Sequence, residues 1–256
     1  GFALECLERA DLQARFGLDA GFGLVSEIAA EVDPVQLARS LLDHALRNGA
    51  SLFERTCVAE LSPTPRGVTA VLANGRRVRC RHAIVAAGYE SQGFLEQQVA
   101  RNRSSYALVS DPVPQGPGAL RDCLVWETAR PYLYARSTAD QRLIIGGEDD
   151  AIDLPLKRDA SVSRKAEKLR RKFAARFPDI PVEIAFAWAG TFAETSDGLP
   201  FFGPHSRLGP RVHFAMAYGG NGITYSAIGA DIIRDRLTGR KHPCADLFSF
   251  DRLQRR

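Results

Sequence analysis

The sequence predicts an α/β unit interrupted by an α+β unit, and three stretches predict it. In the first, Val212-His213-Phe214-Ala215-Met216-Ala217 reads as a buried strand that runs into Tyr218-Gly219-Gly220-Asn221-Gly222. Beyond that turn, Ala227, Ile228, Ile232, Ile233 and Leu237 recur at helical spacing from Ile223 to Leu237, and Gly239 lies just past the end. In the second, residues 33–88 set one amphipathic helix beside short strands and end in Ile84-Val85-Ala86-Ala87-Gly88. In the third, residues 103–191 are rich in strand patterns and hold one long helix, the makings of an α+β layer. These shifts mark boundaries near residues 30, 102 and 192.

Within that frame the elements follow in order. Residues 1–30 carry a short helical pattern (Leu4, Leu7, Ala10, Leu12) and a strand around Phe22–Ile28. A helix then starts at Asp33, an N-cap residue, with Pro34 at the first helical position. Leu37, Ala38, Leu41, Leu42, Ala45 and Leu46 form its apolar face, and Gly49 closes it. Ser51–Leu61 reads as a strand, Val68–Leu72 and Arg76–Cys80 as a hairpin around Asn74-Gly75, and His82–Ala86 as a buried strand. Strands are expected at Ser105–Ser110, Asp122–Thr128, Pro131–Ser137, Arg142–Gly147 and Val182–Trp188. Asp111–Gly118, rich in Pro and Gly, reads as a surface loop.

Composition narrows the function classes. Hydrophobic residues make up 45% and charged residues 25%, ordinary for a globular protein, and a net charge of +4 over 256 residues is mild. The most basic stretch, Arg164–Arg176, also holds Ala166, Leu169, Phe173 and Phe177 at helical spacing. It therefore reads as the solvated face of an amphipathic helix, and no nucleic-acid partner is expected. Five scattered cysteines with no CxxC argue against a zinc site or a disulfide framework and suit a reducing cytoplasm. No apolar run approaches the roughly 18 residues of a membrane span.

The candidate chemistry centres on the glycine turn. Strand, glycine turn and helix together bring bare backbone N–H groups and a helix N-terminus up to an electron-rich ligand. Gly219, Gly220 and Gly222 permit the close approach that side chains would block. By itself the pattern is equally that of an ordinary strand-to-helix turn. Tyr132, Tyr134 and Arg136 alternate along one strand and share a face, which suits either a substrate pocket or plain sheet packing with a solvated Arg136. Trp188 and Phe192 flank the return from the inserted unit, and Trp188 reads as core. No constellation supports thiol, metal or Ser/His/Asp catalysis, and His205 and His213 stand isolated.

Asp197-Gly198-Leu199-Pro200-Phe201-Phe202-Gly203 followed by Tyr218–Thr224, with Ile84–Gly88 upstream, resembles the FAD-dependent amine and amino-acid oxidoreductases of the D-amino-acid oxidase superfamily. The resemblance is to the glycine oxidase, sarcosine oxidase and γ-glutamylputrescine oxidase branch and runs from about Gly21 to about Arg240. It implies a partial FAD-binding Rossmann-like domain (31–102 and 193–256) with an inserted, mainly antiparallel-sheet substrate domain (1–30 and 103–192). It implies FAD contacts at Val58, Ala87, Gly88, Gly219, Gly220, Asn221, Gly222, Ile223 and Thr224. Substrate-pocket candidates are Tyr132, Tyr134, Arg136 and Phe192. The implied reaction is hydride transfer from an amine carbon to the flavin, and the implied partner is a small amine or amino acid.

Departures from that pattern sharpen it. Glycine oxidase-like members carry a carboxylate-binding Arg at the places matching Phe192 and Gly220, so a free α-amino acid is disfavoured. No Cys lies between residues 124 and 243, so the flavin is expected to be non-covalent. A dinucleotide fingerprint needs a strand, GxGxxG and a helix in a unit of about 30 residues, and none is present. Gly21-Phe22-Gly23 lacks the third glycine, and Gly146-Gly147 follows a strand of the inserted unit. The expectation is a C-terminal portion whose unpaired sheet edge favours self-association into a homo-oligomer. Two rivals stand beside it: a binding module that does not hold FAD, and a subunit completed by a partner chain.

Overall fold

The computed structural model describes residues 3–255. The chain begins with β1 (Leu4–Glu8), α1 (Arg9–Phe16), β2 (Phe22–Ser26), α2 (Pro34–Arg47), β3 (Val58–Thr64), β4 (Gly67–Leu72), β5 (Arg77–Cys80) and β6 (Ala83–Val85). It continues with β7 (Arg101–Ser110), β8 (Val125–Trp126), β9 (Leu133–Ser137), β10 (Leu143–Asp150), α3 (Pro155–Ala160) and α4 (Val162–Arg176). It closes with β11 (Ile184–Glu194), β12 (Phe201–Pro204), β13 (Val212–Met216) and α5 (Gly222–Leu237). Two compact units result, Gly1–Val32 with Arg103–Thr191 and Asp33–Asn102 with Phe192–Arg256.

The first unit is built on a five-stranded sheet in the order β11-β7-β10-β9-β8. Its registered pairs are antiparallel, Ile145 facing Leu108 on one side and Ala135 on the other. Alternation sends Tyr106, Leu108, Leu133, Ala135, Leu143 and Ile145 to one face, where Ala166, Leu169 and Phe173 of α4 and Phe177 just beyond it cover them. Each of the buried Leu, Ile and Phe side chains contributes roughly 1.5–3 kcal/mol by leaving water, so this seam holds the unit together.

The basic face of α4 is solvated only in part. The buried carboxylate of Glu148 lies 2.7 Å from Lys168 Nζ and 2.6 Å from Lys172 Nζ, and Lys165 Nζ reaches Asp150 at 3.0 Å. These lysines clamp the helix onto β10, a use that helical spacing cannot announce. Leu4 and Leu7 lie on β1 and not on a helix. Pairing with β2, from Leu4↔Ser26 to Glu8↔Phe22, overrides the local spacing and leaves only 9–16 helical. Within the Asp111–Gly118 loop, Val113 is buried.

The second unit holds two three-stranded sheets, β12-β13-β6 and β3-β4-β5. β6 runs parallel to β13 and β12 antiparallel to it. Val68, Val85, Phe201, Val212, Phe214 and Met216 form their shared core, while Phe202, Ala215, Ile232, Ile233 and Phe248 fasten α5. Helix α2 starts as its sequence dictates, with Asp33 accepting from Val35 N at 2.9 Å and Gln36 N at 3.0 Å. None of its residues is buried. The strand expected from Ser51 begins only at Val58, because Arg55 takes φ +51° and turns the chain before pairing with Leu72 can start.

Candidate functional site

The parallel register of β6 and β13 (Val212↔Ala83, Phe214↔Val85) makes both strands point the same way. The turns that follow them, Ala87-Gly88 and Tyr218–Gly222, therefore emerge at one edge of the sheet. Such a C-terminal edge of parallel strands is where open α/β sheets take ligands. Gly88 (φ +56°) and Gly219 (φ +56°) both use the left-handed region, as does Ala217 (φ +64°), a strained choice for a residue with a Cβ. Ala87 N donates to the fully buried Ser91 Oγ at 3.1 Å, and Gly219 N to Ala193 O at 2.9 Å.

Helix α5 begins at Gly222, and Asn221 at its N-cap supplies no side-chain hydrogen bond. The first-turn N–H groups of Gly222, Ile223 and Thr224 consequently have no intrahelical acceptor and no side-chain cap. A Cβ built on Gly88, Gly219 or Gly222 would meet nothing within 4 Å, so space is open above these positions. Gly220, Asn221, Ile223 and Thr224 are exposed. Val58 stands apart from this edge, half-exposed at the start of β3 in the other sheet.

Below the turn, Asp197 organises its loop. Its carboxylate accepts from Thr195 Oγ1 at 2.9 Å, Leu199 N at 3.2 Å and Arg252 Nε at 3.1 Å. Burial alone would raise this carboxyl, but the hydrogen bonds from Arg252 and Thr195 outweigh it and hold it below its ordinary value. Arg252 lies far from the motif in sequence and carries no pattern that would have found it.

In the first unit, Tyr134 and Arg136 lie on the sheet face opposite α4. The Tyr134 ring rests flat on Gly146 of β10, where any Cβ would meet its phenol end at 2.2 Å. Tyr132, just ahead of β9, has its ring centroid 6.2 Å from that of Tyr134, and the Arg130 guanidinium lies 5.2 Å over the Tyr132 ring. Burial, then the nearby Asp149 carboxylate, pushes both phenols above their ordinary value. Arg136 is not simply solvated, since it lies 3.7 Å from Glu31.

Trp126 pairs with Tyr134 in register, and Trp188 and Phe186 are exposed, so the sheet presents an aromatic face. Trp188, read as core, is 46% exposed, because alternation along β11 turns it away from α4. Phe192 is half-buried on the same strand. The sequence reading missed Asp149, which sits inside the acidic run Glu148-Asp149-Asp150, and it missed Ser91.

Among the described residues no group of three His, Cys, Asp or Glu side chains is placed to hold a metal, and no helix is long and apolar enough to cross a membrane. His213, expected to be isolated, has His82 Nδ1 3.2 Å from its Nε2. A shallow cleft of about 350 Å³ lined by Arg236, Arg240, Lys241 and His242 lies at the other end of α5 from the glycine turn.

Comparison with known proteins agrees with this architecture. The chain is 25% identical over 252 residues to γ-glutamylputrescine oxidoreductase of Escherichia coli (strain K12), covering 92% of this chain and 55% of that protein. It is 25% identical over 209 residues to glycine oxidase of Bacillus licheniformis, covering 81% and 54%. It thus spans about half the length of these relatives. The crystal structure of glycine oxidase from Geobacillus kaustophilus superposes with a TM-score of 0.80 at 19% identity, covering 97% of this chain and 67% of that one. Residues 1–236 match the family model described as DAO, FAD dependent oxidoreductase. The chain belongs to the DAO family of FAD-dependent oxidoreductases.

Proposed function

We propose that the protein of which this chain is part oxidises a carbon–nitrogen bond of a small amine or N-substituted amino acid, using non-covalent FAD. The observation that carries this reading is the parallel β6–β13 register, which brings the Ala87-Gly88 and Gly219–Thr224 turns to one open edge beside an uncapped helix N-terminus. When bound there, FAD supplies the acceptor for the hydride leaving the carbon next to nitrogen. Negative charge on a ligand edge is stabilised by the N–H groups of Gly222, Ile223 and Thr224 at the positive end of α5. Ala87, Gly88, Gly219, Gly220 and Asn221 provide the close backbone approach, and Val58 a contact to the adenine.

On the substrate side, Tyr132, Tyr134 and Arg136 orient the amine, with Phe192 as a further lining candidate. Phe192 and Gly220 carry no charge, which favours an amine over a free α-amino acid. Five free cysteines, three of them exposed, support a reducing compartment such as the cytoplasm. The visible absorption spectrum of the purified chain, before and after adding FAD, tests the reading. A flavin spectrum that survives gel filtration supports it and leads to an amine screen.

A second reading, a module that does not retain FAD, is favoured by one observation: helix α2 has an apolar face and no buried residue. A colourless protein that ignores FAD supports that reading.

A further inference from the structure

Strand β10 ends in three consecutive carboxylates, Glu148-Asp149-Asp150, and the fold treats them unequally. The register against β7 shifts between Gly147 and Asp150, which inserts one extra residue on β10. Glu148 takes φ +55° at this bulge and turns to Lys168 and Lys172 on α4. Asp150 turns the same way, to Lys165 Nζ at 3.0 Å and the Tyr106 hydroxyl at 3.2 Å. Asp149 is left on the other side. The Tyr132 phenol donates to its carboxylate, while its buried Oδ1 makes no hydrogen bond among the described residues.

The surroundings of Asp149 are those of a cation site. The Tyr132 and Tyr134 rings stand beside it with centroids 6.2 Å apart, tilted by 34°. Tyr134 is held flat by Gly146, and Gly147 (φ +130°) lets the Tyr132 carbonyl approach to where a Cβ would stand 2.1 Å from it. The Tyr134 ring is thus held against the backbone of Gly146, and the Tyr132 backbone against that of Gly147. Tyr132 already accepts the Arg130 guanidinium on its ring at 5.2 Å, so this corner tolerates positive charge. A buried carboxylate oxygen without a partner costs free energy that a bound ammonium would recover. With a single carboxylate there is no ligand set for a metal ion.

We propose that the Tyr132–Tyr134–Asp149 corner is a subsite for an alkylammonium group. It deepens the reading of an amine substrate and rests on it for biological meaning. Asp149 Oδ1 accepts a hydrogen bond from the ammonium, and the two phenol rings flank its first methylene groups. The substrate class it selects presents a primary ammonium at this point, not a carboxylate.

The test uses the whole chain without FAD, titrated with n-butylammonium and, separately, with butyrate. Binding is followed by tyrosine ring NMR signals and by the fluorescence of Trp126, the cross-strand partner of Tyr134. The proposal expects saturable shifts with n-butylammonium and at least tenfold weaker ones with butyrate. Asp149→Asn should weaken the ammonium at least tenfold with the far-UV circular dichroism unchanged, and Tyr132→Leu should weaken it several-fold. Equal binding of the two probes, or an Asp149→Asn chain that is folded and binds as the parent does, overturns it. The flavoenzyme reading fails separately: a chain that binds n-butylammonium through Asp149 but ignores FAD keeps the subsite and loses that reading. A chain that takes up FAD but has no dependence on Asp149 does the reverse.

Discussion

Arg252 grips Asp197 across the whole of the C-terminal segment: its Nε lies 3.1 Å from Asp197 Oδ2, its guanidinium 3.6 Å above the Phe201 ring, and a second nitrogen on the Leu199 carbonyl. Phe250 stacks on the same Phe201 ring at 4.4 Å. Arg252 and Phe250 therefore set the conformation of the Asp197–Pro200 loop and the start of β12.

Removing that guanidinium should be costly. Arg252→Ala leaves a partly buried carboxylate without its charged donor, and the expected loss is about 2 kcal/mol of stability by urea unfolding. The sign of the pH effect follows from the lowered Asp197 carboxyl. Its contribution is present above the ordinary value of 3.8 and is lost as pH falls through the lower folded value. Arg252→Ala should flatten that acid limb of the stability curve.

Helix α5 lies on Phe202 through Gly229. A Cβ at Gly229 would stand 2.4 Å from the Phe202 ring, and Phe202 is itself held by Phe248 at 5.3 Å. Gly229→Ala should therefore cost about 1–3 kcal/mol through overpacking, despite the gain in helix propensity. Thermal melting of the two proteins checks it, and an unchanged or raised Tm would contradict the packing.

His213 makes stability depend on pH near neutrality. Burial, with the charges of His82 and Arg236, lowers it from 6.5 to about 4. The unfolded chain takes up a proton at His213 near pH 6.5 and the folded chain does not. Stability should then be full above about pH 6.5, fall between there and about pH 4, and change no further from this group below it. Melting across this range, with His213→Phe as the control that loses the effect, tests the assignment.

The exposed apolar face of α2 predicts self-association. Val35, Leu41, Leu42 and Leu46 are exposed by 56%, 61%, 47% and 41%, a contiguous patch of the kind that drives association. Sedimentation should show concentration-dependent oligomers, and Leu41→Glu with Leu42→Glu should shift them towards monomer without loss of helix signal. A monomer at all concentrations would contradict this.

Local elements were legible where local chemistry decides them. Asp33-Pro34 starts α2, Asn74-Gly75 closes the β4–β5 hairpin, and the apolar spacing of α4 and α5 marks the faces they bury. The glycines of the 218–222 turn announced a tight strand-to-helix passage because few other residues adopt its backbone. Less legible were positions 4–8, where strand pairing overrode a helical spacing, and Ser51–Cys57, where one positive φ at Arg55 ended the strand pattern.

What the sequence determined by itself was most of the elements and the pattern of the family, since caps, turns and periodicity act over a few residues. Tertiary structure decided which groups meet. The parallel register brought two glycine turns to one edge, a β-bulge sent Glu148 and Asp150 to the α4 lysines and left Asp149 to Tyr132 and Tyr134, and Arg252 found Asp197 from 55 residues away. Such pairings depend on chain closure in three dimensions, where burial and charge neutralisation choose partners irrespective of distance along the chain.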